Sequence, residues 1–127
     1  MKKLTQIFQY GQVVILYTYD LKHKIHGRDM TVLLRPQDED AIWFGTYPNS
    51  QKIKEIKNNN DVIINYKDPF RREKIILFGK IEIVDNVRIK KEMWNDSLQM
   101  FFPEGPESPK MILLKFQPNR NEFYKNK

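Results

Sequence analysis

The chain has 127 residues, 40% of them hydrophobic and 30% charged, with no cysteine and a formal net charge of +6 at pH 7. This composition predicts one globular domain over residues 1–127 and excludes disulfides, thiolate catalysis and iron–sulfur clusters. No apolar run approaches a membrane span, so we expect a cytoplasmic protein without a membrane partner. The positive charge favours an anionic ligand, either a nucleic acid or a phosphate-bearing molecule.

The first half of the chain alternates apolar segments with short polar connections. Leu4, Ile7 and Phe8 have helical spacing within the segment 2–10. Three segments rich in β-branched and aromatic residues follow, and a helix comes after the third. In chain order, the predicted strands are 12–19, 28–35 and 41–46, and the predicted helix is 50–58. The stretch 20–27 is predicted to be a polar connection.

The second half continues with strands joined by short connections. Gly79 interrupts a long strand and predicts a bulge or a close backbone approach. Asp85 or Asn86 is a candidate cap for another helix, and Pro118 is expected to end the strand before it. The predicted strands of this half are 61–66, 73–84, 111–116 and a short 122–124. Six or so strands with two to three helices predict a mainly β, antiparallel barrel or sandwich.

The predicted helix 50–58 begins with an unusual charge pattern. Ser50 stands at its start, and Lys52 and Lys54 follow where the helix dipole favours acidic residues. A bound phosphate would accept the free N–H groups, the serine hydroxyl and an ammonium together. Solvated lysines on an ordinary exposed helix are the alternative, and spacing alone does not decide between them.

Four segments, taken in order, resemble the pyridoxamine 5′-phosphate oxidase-like flavin-binding split barrels, and among them the general stress proteins. They are 28–34, 43–46 with 50–52, 78–82, and Trp94 followed by 102–106. In the first of these, strand alternation places Arg28 on the same face as Met30. The resemblance implies a six-stranded antiparallel split β-barrel with two to three flanking helices. It also implies a homodimer with FMN at its interface.

The resemblance also implies which residues contact the flavin. Arg28, Ser50 and Lys52 would bind the phosphate, the backbone near residues 30–31 and 44–46 would line the ring, and Lys74 would add a polar contact. The implied cofactor-binding residues are Arg28, Met30, Thr31, Phe44, Thr46, Ser50, Lys52 and Lys74. A deazaflavin or a haem could replace FMN, because related barrels bind those molecules.

The implied chemistry is hydride or electron transfer through the flavin, with a small-molecule redox partner such as a nicotinamide nucleotide. No residue is identified as catalytic, so a reductase, a flavin carrier and a redox sensor stay open. Gln51 stands where true pyridoxamine phosphate oxidases have an arginine, and the chain ends without their vitamin-binding segment. We therefore do not expect vitamin B6 oxidation.

Two other interpretations stay open. One is a barrel that has lost its cofactor and serves as an interaction module. The other is a basic β-barrel that stacks single-stranded nucleic acid on Tyr17, Tyr19, Trp43 and Phe44. The alternation of these aromatics with aliphatic residues favours burial and argues against the second. His23 and His26 lie in a polar connection without a carboxylate cluster, so no metal site is expected.

Overall fold

The computed structural model describes residues 3–125, which form one antiparallel six-stranded sheet with the order β2-β1-β4-β5-β6-β3. Residue 2 of the predicted segment 2–10 and the ends of the predicted domain lie outside these residues. The strands are β1 (Val13–Tyr19), β2 (Ile25–Thr31), β3 (Ile42–Thr46), β4 (Asp61–Asp68), β5 (Glu73–Val84) and β6 (Ile112–Lys125). The helices are α1 (Leu4–Ile7), α2 (Gln51–Asn58) and α3 (Val87–Met93), with a 3₁₀ helix at Asp96–Met100.

The two outer strands, β2 and β3, approach each other, so the sheet curls into a barrel that is only partly closed. Just beyond β2, Leu33 and Trp43 exchange backbone hydrogen bonds of 2.8 and 2.9 Å. Among residues 3–125 this bridge is the one backbone pairing between the two edges, and we call the unpaired stretch beside it the gap. The predicted mainly β, six-stranded split barrel with flanking helices is confirmed.

The barrel interior holds the larger of two hydrophobic clusters, built by period-two alternation on the strands. Val14 and Leu16 of β1 point inward, and α2 covers this end of the barrel with Ile53 and Ile56. A second cluster around Trp43 lies under α3 and the 3₁₀ helix. Burying one such aliphatic side chain contributes about 1.5–3 kcal/mol. The packing fixes α2 against β1 and thereby positions the residues described below.

The strand predicted at 28–35 is shifted, because β2 begins at Ile25 and pairs with β1 as a tight hairpin. The connection predicted over 20–27 is therefore half strand. Asp20 accepts backbone N–H groups of Lys22 and Lys24 over 2.8 and 3.0 Å, which closes the turn early. Ile25, His26 and Gly27 are exposed because β2 is an edge strand of the sheet. The segment 20–27 has no alternation of apolar residues, so its sequence predicts a connection.

The predicted strand end at Pro118 is wrong, since β6 continues to Lys125 and includes the segment 122–124. Pro118 is opposite Gly79, where the pairing register shifts. A Cβ at Gly79 would be 2.1 Å from the backbone oxygen of Gln117. The bulge or close approach predicted at this glycine is confirmed, and it accommodates a proline inside a long strand.

Candidate functional site

Arg28 lies on β2 with its side chain on the inner side of the sheet, 23% exposed. Its Nη1 donates to the backbone oxygen of Leu16 over 3.2 Å and to the hydroxyl of Thr18 over 2.7 Å. Its Nη2 donates to Glu55 over 3.3 Å. Three contacts from two elements therefore hold the guanidinium between β1 and α2.

Glu55 is a carboxylate of α2 that is only 4% exposed. Besides Arg28, it accepts a hydrogen bond from the Thr18 hydroxyl over 2.5 Å and one from Gln51 over 3.2 Å. Burial raises the pKa of Glu55, but these hydrogen bonds and the nearby Arg28 charge outweigh it, and the pKa lies below its ordinary value. The group is therefore an anion at neutral pH.

Lys52, one turn before Glu55, points to the end of β3. Its ammonium donates to the hydroxyl of Thr46 over 2.7 Å. Burial lowers the pKa of Lys52, and the charge of Arg28 lowers it further. The charges of Lys52 and Arg28 thus interact, and within residues 3–125 Lys52 has no carboxylate at ion-pair distance.

Ser50 precedes the first residue of α2, and its side chain makes no capping hydrogen bond. The hydroxyl oxygen is buried and has no hydrogen-bond partner in the described residues. A buried hydroxyl without a partner costs free energy unless a ligand or water completes it. Together, Arg28, Thr46, Ser50 and Lys52 form what we call the cationic cradle. Its charges, hydroxyls and helix start match the chemistry of an anion site.

The backbone next to the cradle borders the gap between β2 and β3. Val32 donates its N–H to Gln12 and accepts one from Gly11, so its polar groups face β1. Along a strand, the N–H and C=O groups of successive residues point to opposite sides. Those of Thr31 and Leu33 therefore point away from β1 and toward the gap, where Leu33 forms its bridge to Trp43. By the same rule Gly45 faces the gap from β3. Polar backbone groups from both edges therefore line this opening.

The side chains named for the flavin ring have different surroundings. Met30 and Phe44 are buried in the barrel core, and Thr31 is exposed on the edge strand. The backbone, rather than the Met30 or Phe44 side chain, therefore faces the gap. Phe102 lies over this region, because a Cβ on Gly45 would be 3.2 Å from its ring. A small residue at this position lets the aromatic ring approach the strand.

Lys74 is not brought to the cradle within one chain. It lies on β5, opposite Lys67 and Tyr124, with its ammonium 5.0 Å from the centre of the Tyr124 ring. It also lines a cavity of about 760 Å³ between α1 and the ends of β4, β5 and β6. Tyr66 and Arg71 line the same cavity, and no cradle residue does.

Sequence reasoning missed Thr18 and Glu55, which hold Arg28 in place. Both carry a weak signal. Thr18 occupies an inward position of β1 after Val14 and Leu16, where a polar residue is unexpected. Glu55 lies between the inward residues Ile53 and Ile56 on α2, at the border of the apolar stripe.

The aromatic residues proposed for stacking nucleic acid are largely unavailable. Trp43 and Phe44 are fully buried. The charged groups of Arg35 and Lys115 are 5.8 and 5.6 Å from the centre of the Trp43 ring. Tyr17 and Tyr19 are half-buried. This arrangement argues against an exposed stacking platform.

None of the helices in residues 3–125 is both long enough and apolar enough to cross a membrane. No group of three or more histidines and carboxylates in that range could hold a metal ion.

Comparison with known proteins identifies the family. The family model for pyridoxamine 5′-phosphate oxidase-like proteins matches residues 1–127. General stress protein 26 of Bacillus anthracis str. Sterne is similar in structure, with a TM-score of 0.77, 25% identity, and coverage of 97% of this chain and 95% of that one.

Two more distant structures share the fold. A pyridoxamine 5′-phosphate oxidase-related, FMN binding protein from Nostoc punctiforme has a TM-score of 0.77 and 16% identity, covering 94% of this chain and 77% of that one. An F420 reductase has a TM-score of 0.70 and 17% identity, covering 92% and 94%. No significant match is found among curated proteins. The full-length family match shows that this chain belongs to the pyridoxamine 5′-phosphate oxidase-like family.

Proposed function

We propose that this protein binds FMN in a homodimer and takes part in hydride or electron transfer with a small-molecule redox partner. The observation that carries the proposal is the cationic cradle. In it, Lys52 has no carboxylate partner within residues 3–125, and the buried Ser50 hydroxyl has no partner there either. A phosphate would supply the Lys52 ammonium with an anion and the Ser50 hydroxyl with an acceptor.

The cradle residues fit a phosphate monoester. Arg28 and Lys52 would contribute charge-assisted hydrogen bonds, which are stronger than bonds between neutral groups. Ser50 would donate its hydroxyl, and the first N–H groups of α2 would face the same oxygens. Thr46 would hold the Lys52 ammonium in position through the 2.7 Å contact.

The gap between β2 and β3 supports a place for the ring system beside this phosphate. Its backbone groups at Thr31 and Gly45 would contact the polar edge of the ring, while the chain around Met30 and Phe44 forms the wall. The Nostoc relative is named for FMN, and the F420 reductase for a deazaflavin. FMN is our first candidate, with deazaflavin and haem as alternatives.

The outer face of the sheet supports a second copy of the chain as partner. Two cross-strand rows of half-buried residues lie there: Ile15, Asn65 and Ile76, and Tyr17, Ile63 and Phe78. The Asn65 side-chain oxygen is buried between Ile15 and Ile76 without a hydrogen-bond partner in the described chain. A dimer through this face would bury the apolar side chains of both rows and offer that oxygen a donor. Lys74 could then contact the flavin of the partner.

The bound flavin supplies the redox chemistry, and the protein's residues bind and orient it. The cavity beside Arg71 and Lys74 supports a small-molecule partner, such as a nicotinamide nucleotide. Arg71 and Lys74 would contact the negative charge of such a molecule. Asp68 and Glu73, which line the same cavity, would face its polar groups.

The test is retention of flavin by the purified protein after incubation with FMN and desalting. Wild type is expected to keep a stoichiometric flavin absorption. Arg28→Ala or Lys52→Ala should each weaken FMN binding about 10–100-fold, the effect of losing a charged hydrogen bond. Lys54→Ala is the matched control, since Lys54 is exposed on the same helix. A wild type that retains no flavin would contradict the proposal.

A cofactor-free interaction module is the second candidate. The Arg28–Glu55 ion pair favours it, because it neutralises one of the two cations without any ligand. A colourless protein that still forms the dimer would support this candidate.

A further inference from the structure

A buried carboxylate at a site that binds anions calls for an explanation. Glu55 lies 3.3 Å from Arg28, so its negative charge stands beside the group expected to bind phosphate. Its carboxylate oxygens accept from Thr18, Gln51 and Arg28, which accounts for its burial. Nothing in the binding of a flavin requires an acid at this place.

The hydrogen bonds around Glu55 have a defined direction. Thr18 has one hydroxyl proton, and the 2.5 Å contact to Glu55 uses it. The Thr18 oxygen is then free to accept from Arg28 over 2.7 Å. Glu55 therefore orients the hydroxyl that holds Arg28, in addition to contacting Arg28 directly.

We propose that Glu55 is a positioning residue and internal counter-ion of the cradle, which holds Arg28 for the phosphate and lowers the affinity with which the phosphate binds. This inference rests on the proposed function. Before the phosphate binds, Glu55 offsets the repulsion between Arg28 and Lys52. Once the phosphate has bound, the same carboxylate repels it. Glu55 therefore stabilises the Arg28 cation without a ligand, while Lys52 stays without an anion among the described residues, and the hold of the cradle on the cofactor is reversible.

The direction of the effect follows from the contacts of Arg28. Two of its three hydrogen bonds go from Nη1 to Leu16 and Thr18, and in neither of them is Glu55 the acceptor. The direct contact to Glu55 is the longest of the three. Removing the charge of Glu55 thus leaves Arg28 largely in place while removing a repulsion of the phosphate. We therefore expect the affinity for FMN to gain more from the removed repulsion than it loses from the weaker positioning of Arg28.

The experiment compares the dissociation constants of FMN and riboflavin in the full chain, because only FMN carries the phosphate. Glu55→Gln keeps the shape of the side chain and removes its charge. We expect FMN to bind about tenfold more tightly and riboflavin to be unaffected, while the melting temperature without ligand falls. Glu55→Asp keeps the charge and should retain the wild-type preference for FMN over riboflavin.

A purely structural role would change the binding of both flavins together. Unchanged or weaker FMN binding by a folded Glu55→Gln variant, with riboflavin unaffected, would overturn the inference. Should Glu55→Gln fail to fold, Gln51→Glu adds a carboxylate at an exposed position next to Glu55 and must weaken FMN binding selectively. Equal affinity of that variant and wild type for FMN would also overturn it. A wild type that does not prefer FMN to riboflavin would instead contradict the proposed function.

Discussion

Lys52 donates a hydrogen bond to Thr46 over 2.7 Å, which joins the first turn of α2 to the last residue of β3. The ammonium is half-buried, lies near Arg28 and is at a helix end that carries partial positive charge. The charge of Arg28 and the partial positive charge of the helix end both make the charged form of Lys52 less favourable. The contact to Thr46 therefore holds a cation in a place that becomes favourable when an anion arrives.

This unfavourable charge predicts a pH dependence of stability in the ligand-free protein. Because the pKa of Lys52 is lowered from 10.5, the folded chain releases this proton at a lower pH than the unfolded chain. Between those two pKa values the unfolded chain binds more protons, so the free energy of unfolding rises with pH there. Lys52→Met removes this contribution.

The measurement is urea unfolding of both proteins without ligand, at several alkaline pH values below 10.5. The stability of wild type relative to Lys52→Met should increase with pH across that window. A difference that stays constant would contradict the lowered pKa. The same variant should bind FMN about 10–100-fold more weakly without loss of stability at neutral pH.

Gly79 provides a test of the bulge between β5 and β6. Gly79→Ala would place a Cβ 2.1 Å from the backbone oxygen of Gln117, and a backbone atom cannot move aside cheaply. We expect a loss of about 2–3 kcal/mol in the free energy of unfolding. Gly105→Ala is the control, because Gly105 has a positive φ of 83° but no atom within 4 Å of the position that a Cβ would take. It should cost only about 1–2 kcal/mol, the strain of the left-handed region.

Gly79 also illustrates how far the sequence predicts this fold. A glycine inside a strand of alternating apolar residues indicates a close backbone approach, and the same alternation gives the bounds of β5. The strand end predicted at Pro118 is wrong because a proline ends a strand only where no bulge accommodates it. That bulge depends on Gly79, which lies on the neighbouring strand. Pairing between distant segments is not visible in either segment alone.

The candidate site could also be predicted only as far as single segments allow. Lys52 and Ser50 can be proposed from the sequence because a helix start with lysines contradicts the local dipole rule, and this contradiction is a property of one segment. Glu55 was not recognised, because its role comes from Arg28 and Thr18 on two other strands. Pairing across the barrel turned an ordinary helix glutamate into a buried counter-ion.

The ion pair between Lys90 and Asp85 predicts that the free energy of unfolding depends on which partner is removed. The Lys90 side chain is 1% exposed and that of Asp85 66% exposed, and their charged atoms are 2.7 Å apart. Asp85→Ala leaves a buried ammonium unpaired, which we expect to cost about 2–3 kcal/mol. Lys90→Met removes the buried charge and keeps most of the volume, so its cost should be under about 1 kcal/mol.

Urea unfolding of the two variants checks this order, with Lys91→Met on the same helix as the control. Lys91 pairs with Glu107 at the surface, where an ion pair contributes little. The pairing argument fails if Lys90→Met proves more destabilising than Asp85→Ala.

The outer face of the sheet predicts the assembly of the protein. Ile63 lies at the centre of one apolar row, opposite Tyr17 on β1 and Phe78 on β5. Ile63→Lys would place a further charge beside these side chains, where Arg120 already lies 3.8 Å from the centre of the Phe78 ring and where a second chain is proposed to pack. We expect this variant to be monomeric by sedimentation while remaining folded by circular dichroism, because Ile63 is not a member of either hydrophobic cluster.

Loss of the dimer should also weaken flavin binding, since the partner is proposed to contribute Lys74. Lys57→Glu, an exposed charge change on α2, is the control and should leave both the dimer and its flavin intact. A monomeric Ile63→Lys variant that binds FMN as tightly as wild type would show that one chain forms the complete site. In that case Lys74, which lies away from the cradle within its own chain, has no part in holding the cofactor.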